Sequence, residues 1–261
     1  MELSITRDGL RLRALLERPS HNRPCPIVIM CHGFGGSMDA YPGSLYQRIA
    51  KRLVARGMAV LRFDFNGHGR SDGEFSHMDV LNEIEDLIAV LRYVRSRTDV
   101  TAIRLLGHSQ GGVVAGMVAG LYHDVIDRLA LLAPAATLKD DALAGTCMGR
   151  SYDPDHIPDI VKVPGAGEVG GHYFRIAQLL PIYETTARFT GPSLAIHGLA
   201  DDIVDSKASR RYGEMMPNCT VSLYPRLDHG INGADGDKAV EEYLKNNIPY
   251  LRQRFDEQNI S

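Results

Sequence analysis

No apolar run in this 261-residue chain approaches the roughly 18 residues that a membrane-spanning helix needs. The first residues, Met1 to Asp8, lack the basic-then-apolar pattern of a signal peptide. Cysteine is scarce. Cys25, Cys31, Cys147 and Cys219 show no Cys-x-x-Cys spacing, which argues against a zinc site and against a disulfide framework. Such cysteines suit reduced, mostly buried positions in a cytoplasmic protein. Charge of either sign is nearly balanced, with a formal net charge of −3, so neither nucleic acid nor a membrane is an expected partner. The sequence has no internal repeat, no low-complexity segment and no large charge run of the kind that marks an interaction scaffold. Its apolar fraction of 44% is ordinary, and its length allows one large α/β domain or a domain with an insertion.

The chain is organised around Leu105-Leu106-Gly107-His108-Ser109-Gln110-Gly111-Gly112, a Gly-x-Ser-x-Gly pattern. An apolar run (Ala102, Ile103, Leu105, Leu106) precedes it, and small residues dominate from Val113 to Leu121. Strand, sharp turn and helix are expected, with Ser109 in a strained backbone that lifts its hydroxyl clear of the sheet. Side chains at positions 107 and 111 would crowd that turn. The helix beginning after Ser109 aims free N–H groups at an oxygen held near the serine.

Residues 2–18 alternate polar and apolar around Arg7-Asp8-Gly9, which predicts a hairpin. Strands are expected at 27–31 and 58–63, followed by the glycine-rich loop 32–37 and the long turn 64–73. Helices are expected at 45–56 and 80–94, the second with Leu81, Ile84, Leu87, Ile88 and Leu91 on one face. After a strand at 128–133 the rhythm changes. Between about 136 and 183 strands stop, while proline, glycine and charge rise. Long irregular pieces inside compact domains are usually functional, so 136–183 reads as a cap inserted over the strand ends, the alternative being a surface loop with no role. A strand at 193–196, a helix at 206–216, a strand at 220–224 and a last helix at 237–254 follow. Residues 1–135 and 184–261 thus make an α/β core: a mostly parallel sheet with helices on both faces. Ligands of such sheets bind beyond the carboxyl ends of the strands, where Ser109, the loop at 33–36, Asp201 and His229 all fall.

A serine hydroxyl needs a base to accept its proton, and that base needs a third group to fix its tautomer. The order Ser, Asp, His is that of α/β-hydrolases. Ser109 is the candidate nucleophile, His229 the candidate base and later acid, and Asp201 the candidate orienting carboxylate. His32, His68, His108 and His197 sit beside glycines in turns, where a histidine usually serves its own loop. His229 lies on a loop with little reason to be rigid unless used. Asp202 competes with Asp201, but the Gly-x-x-Asp-x-x-Val spacing of these hydrolases puts Asp201 in register. Asp205 and Asp228 read as solvated loop carboxylates. The backbone N–H groups of Phe34 and Gln110 are the candidate oxyanion hole. This chemistry needs no metal and no cofactor.

The serine elbow, the His32-Gly33-Phe34 loop, the run Phe63 to Gly73 and Leu132-Ala133-Pro134-Ala135-Ala136 together resemble the bacterial cinnamoyl (feruloyl) esterases. Within the cap, Pro154-Asp155-His156-Ile157-Pro158-Asp159 and Arg175-Ile176-Ala177-Gln178 carry the same resemblance and are more specific than the elbow. It implies an α/β-hydrolase fold and hydrolysis of feruloyl, caffeoyl or p-coumaroyl esters through an acyl-enzyme. It also implies Asp141 and Tyr173 as the polar groups meeting the ring hydroxyls, and a homodimer as a common assembly. Met148 departs from relatives with a polar amide nearby, and the glycine-rich stretch at 165–171 matches poorly. A general short-chain carboxylesterase or monoacylglycerol lipase on the same fold is the first rival. A non-catalytic homologue that binds a phenolic ligand is the second.

Overall fold

The computed structural model describes residues 1–20, 23–39 and 41–247. The first element is the expected hairpin. β1 (Glu2–Arg7) and β2 (Leu10–Glu17) pair antiparallel with Arg7 opposite Leu10. Asp8 and Gly9 between them take positive φ of 48° and 85°, the two-residue turn whose twist matches its strands. Next come β3 (Cys25–Cys31), α1 (Leu45–Ala55), β4 (Ala59–Phe63), α2 (Val80–Arg95), β5 (Val100–His108), α3 (Gln110–Leu121) and β6 (Ile126–Leu132). A more irregular segment then holds α4 (Leu138–Leu143), β7 (Thr146–Cys147), β8 (Arg150–Ser151), β9 (Ile160–Val163), β10 (Gly167–Gly170), α5 (Gly171–Ala177) and α6 (Ile182–Thr186). The chain returns to the sheet with β11 (Ser193–Gly198), α7 (Lys207–Met215), β12 (Cys219–Tyr224) and α8 (Gly233–Asn247).

Eight strands form one sheet in the order β1-β2-β4-β3-β5-β6-β11-β12. The pairings from β4 through β12 are parallel, and those of β2 with β1 and β4 are antiparallel. Both faces are covered, so the central strands are mostly apolar and their alternation sorts residues between two cores. Ile27, Ile29, Leu105 and Leu131 face the core closed by α2 and α3, whereas Val28, Met30, Leu106 and Leu132 face the core closed by α1 and α8. This is the α/β-hydrolase fold. Among the described residues no helix is long and apolar enough to cross a membrane.

Three expectations change. The buried stripe of α2 runs through Val80, Glu83, Ile84, Leu87, Val90, Leu91 and Val94, and Leu81 is exposed. A true helical period from Val80 thus takes in a carboxylate that the apolar count passed over. Strands do not stop between 136 and 183. β7 pairs β8 and β9 pairs β10, with Pro164 to Ala166, which had read as irregular chain, forming the turn of the second hairpin. The last helix begins at Gly233 rather than 237, and its expected end at 254 lies outside the described residues. Within the irregular segment, Arg175 donates to the Ile157 carbonyl at 2.7 Å and Gln178 to that of Pro154 at 3.0 Å. The two stretches most specific to the resemblance are thus packed against each other.

Candidate active site

β5 runs down the middle of the sheet between β3 and β6, and Ser109 stands at its carboxyl end. Its backbone takes φ 56° and ψ −125°, a sparsely populated conformation held by the surrounding chain. The tightness of the turn is visible in its glycines. A Cβ on Gly107 would lie 2.2 Å from the Gly111 carbonyl oxygen, and one on Gly111 would lie 2.3 Å from that of His32. All of these contacts are backbone and cannot swing aside.

The structure brings Ser109, His229 and Asp201 together. Nε2 of His229 lies 2.9 Å from the Ser109 hydroxyl and its Nδ1 lies 2.8 Å from Oδ2 of Asp201. With the ring proton on Nδ1 donated to the carboxylate, Nε2 is left to accept from serine. The other Asp201 oxygen accepts from the N–H groups of Ile203 and Val204, both at 2.9 Å. Nε2 of buried His197 lies 3.2 Å from Oδ2. Burial alone would raise the Asp201 carboxyl. The hydrogen bonds from His197, His229 and Val204 outweigh that and hold it below the usual carboxylate range. Asp202 and Asp205 are exposed, and Asp228 accepts from Asn232 on its own loop.

Phe34 follows β3 and Gln110 opens α3, so both N–H groups emerge at the same sheet edge as Ser109. Neither N–H has a hydrogen-bond partner among the described residues. The glycine loop lies tight against the serine: a Cβ on Gly33 would come within 2.9 Å of the Ser109 Cβ. His68 steadies that loop by accepting from the Gly35 N–H at 3.2 Å. Above Ser109 opens a pocket of about 510 Å³, its mouth included, bounded by Phe34, Leu138, Cys147, Met148, Ile203 and Val204 among others. Asp141 and Tyr173 both line it. Asp141 accepts from the Thr137 hydroxyl at 2.7 Å, and buried Tyr173 donates its hydroxyl proton to Oε1 of Gln110 at 2.6 Å.

A family described as serine aminopeptidase, S33 (Hydrolase_4) matches residues 22–152. The chain belongs to the Hydrolase_4 family. It is built on the α/β-hydrolase fold. This Hydrolase_4 chain is similar to Est1E of Butyrivibrio proteoclasticus, in a structure holding ferulic acid. The identity is 31%, the match covers 94% of this chain and 99% of that one, and the TM-score is 0.88. It is 24% identical to esterase EstD of Thermotoga maritima over 94% of this chain and 63% of the relative. An uncharacterised protein of Mycobacterium bovis matches at 24% over 68% of this chain. The aligned chain spans 45% of that relative, about half its length.

Sequence reasoning left out several residues that shape this Hydrolase_4 site. Nε2–H of His108 donates to the His229 carbonyl at 2.8 Å, while its Nδ1 accepts from the Tyr46 hydroxyl at 3.0 Å. His197 accepts from the Ser209 hydroxyl at 2.8 Å, which turns its other nitrogen toward Asp201. His108 had been read as serving its own turn, yet it reaches across to the His229 loop, whereas His197 does serve its own loop, its Nε2 lying 3.0 Å from the Val204 carbonyl. Glu83 is buried under Gln110 and accepts from its Nε2 at 2.8 Å. Burial pushes the Glu83 carboxyl well above its usual range, an effect that the Gln110 hydrogen bond only partly offsets. The signal for Glu83 was a carboxylate on the buried helical stripe.

Proposed function

We propose that this protein hydrolyses esters of hydroxycinnamic acids. The hydroxyl of Ser109 attacks the ester carbonyl as His229 takes its proton, with Asp201 holding the imidazole and stabilising its cation. The carbonyl oxygen becomes an oxyanion received by the N–H groups of Phe34 and Gln110. Collapse of the tetrahedral intermediate expels the alcohol, which leaves with the proton from His229. Water, deprotonated by His229, then attacks the acyl-enzyme and releases the acid and the free serine. In this reading the segment 136–183 caps the acyl group, with Asp141 and Tyr173 meeting hydroxyls on its aromatic ring.

The observation that carries the reading is the pocket. A mostly apolar slot opens directly above the Ser109 hydroxyl, with two fixed polar side chains on its wall, which suits a flat phenolic acyl group. The likeness to Est1E over nearly the whole of both chains supports it. Four unpaired cysteines support a reducing compartment, the cytoplasm. The test is a side-by-side measurement of kcat/KM for methyl ferulate, methyl caffeate and methyl p-coumarate against p-nitrophenyl butyrate and monoolein. Preference for the hydroxycinnamates is expected. Preference for butyrate or monoolein would make the protein a general carboxylesterase or a monoacylglycerol lipase. Failure of a serine-directed phosphonate to label it would make it a binding protein.

A further inference from the structure

A buried chain of hydrogen bonds runs from the core helix α2, through the residue after the nucleophile, to α5 in the segment above the site. Glu83 accepts from Nε2 of Gln110 at 2.8 Å, and Oε1 of Gln110 accepts from the Tyr173 hydroxyl at 2.6 Å. All three residues are buried. The Tyr173 ring also lies 5.4 Å from the ring of Phe34. Tyr173 therefore meets the side chains of both residues whose backbone N–H groups are the candidate oxyanion donors.

We propose that Tyr173 and Glu83 are positioning residues: they clamp the Gln110 side chain from opposite ends, and Tyr173 braces Phe34, so that both oxyanion donors are held in place before substrate arrives. A carboxamide has one accepting end and one donating end. Tyr173 supplies a donor to the first and Glu83 an acceptor to the second, so the amide has a single satisfied orientation. Gln110 is the first residue of α3, so its N–H has no partner within the helix and its aim depends on how the helix end is held. Oxyanion donors contribute most when they need not reorganise during reaction, and the clamp supplies that rigidity. One consequence concerns the pocket. The single hydroxyl proton of Tyr173 is engaged by Gln110, so toward a ligand this oxygen can only accept.

The inference rests on the serine-esterase reading but not on its hydroxycinnamate part, so the test uses p-nitrophenyl acetate, whose acyl group has no ring to reach Tyr173. Tyr173→Phe should lower kcat about tenfold with KM within about twofold, because the donors are present but less well aimed. The Ki of a trifluoromethyl ketone, whose adduct with serine carries an oxyanion, should rise by the same factor. Glu83→Met should do likewise, and Glu83→Gln, which keeps an acceptor for Gln110, should recover most of the loss. If Glu83→Met does not fold, Tyr173→Phe decides alone, since it removes one hydroxyl. An unchanged kcat and Ki in Tyr173→Phe, with only KM for hydroxycinnamates raised, would overturn the inference and leave Tyr173 a ring contact. A lowered kcat with unchanged Ki would overturn it too. A wild-type protein inert toward every ester would remove the esterase reading and the inference together.

Discussion

The imidazole of His108 donates to the backbone carbonyl of His229 at 2.8 Å, so the residue preceding Ser109 holds the loop whose imidazole faces that serine. The tautomer is set from the other side by Tyr46, whose hydroxyl gives its proton to Nδ1. Burial, followed by the neighbouring His229, pushes His108 down to about 4, so the ring stays neutral and keeps one donor and one acceptor at working pH. Replacing it by alanine frees the His229 loop without touching the reacting atoms. His108→Ala should lower kcat on the order of 100-fold with KM little changed, the size expected when a catalytic group drifts by about 1 Å. Steady-state kinetics on p-nitrophenyl acetate decides, and a kcat within twofold of wild type would show that the contact is incidental.

Ser109→Ala should remove turnover, by a factor on the order of 10⁶ in kcat, while the far-ultraviolet circular dichroism stays as in wild type. Asp201→Asn should cost about 10⁴-fold, because an amide at that position favours the wrong imidazole tautomer. The adjacent exposed Asp202 is the control. Asp202→Asn should remain within about twofold of wild type, as surface changes away from special contacts usually do. If the two aspartates exchanged these outcomes, the assignment of the orienting carboxylate would have to move.

Stability should rise from acid pH toward neutrality. Burial lowers the pKa of His32, His68 and His108, in the first case to about 3 and in the last to about 4. Unfolded, each titrates near 6.5. Below that pH the unfolded chain binds protons that the folded chain refuses, so stability falls as pH falls, by up to about 1.4 kcal/mol per pH unit for each ring. Glu83 works in the opposite sense. Its pKa is raised from 4.5, so above that pH the folded protein keeps a proton the unfolded chain has lost, and stability falls as pH rises. Three rings outweigh one carboxyl on the acid side. Urea midpoints should rise between pH 4.5 and about 6.5, and should rise more steeply in Glu83→Gln, which removes the opposing carboxyl. A slope unchanged in Glu83→Gln would contradict the raised pKa of Glu83.

Gly111→Ala tests the elbow. The new methyl would sit 2.3 and 2.4 Å from the carbonyl oxygens of His32 and Cys31, so backbone must move. A loss of about 1–3 kcal/mol in urea unfolding is expected, together with a fall in kcat larger than stability alone would cause, because the displaced chain carries the Ser109 turn. A variant as stable and active as wild type would mean that the turn has slack.

The features readable from residues alone were those with local physical causes. The hairpin followed from an Asp-Gly turn, and both of its residues do take positive φ. The strand, turn and helix around Ser109 followed from glycine placement and from apolar runs of the right length. What escaped depended on partners distant in sequence. Glu83 went unremarked because only the tertiary packing places Gln110 above it. His108 looked like a loop residue because nothing local shows a carbonyl 121 positions away. The hairpin at β9 and β10 escaped because its strands are four residues each and glycine-rich at the second.

Because β5 is hemmed in by β3 and β6, the serine turn cannot shift without dragging the centre of the sheet along, whereas the segment between β6 and β11 leaves the sheet and rejoins it at neighbouring strands. Diversification of this scaffold can therefore proceed by swapping that excursion while the reaction machinery is inherited intact. The tyrosine at 173 sets a condition on such swaps. A transplanted excursion that brings no hydroxyl to the amide of residue 110 would arrive with new walls and a slackened floor.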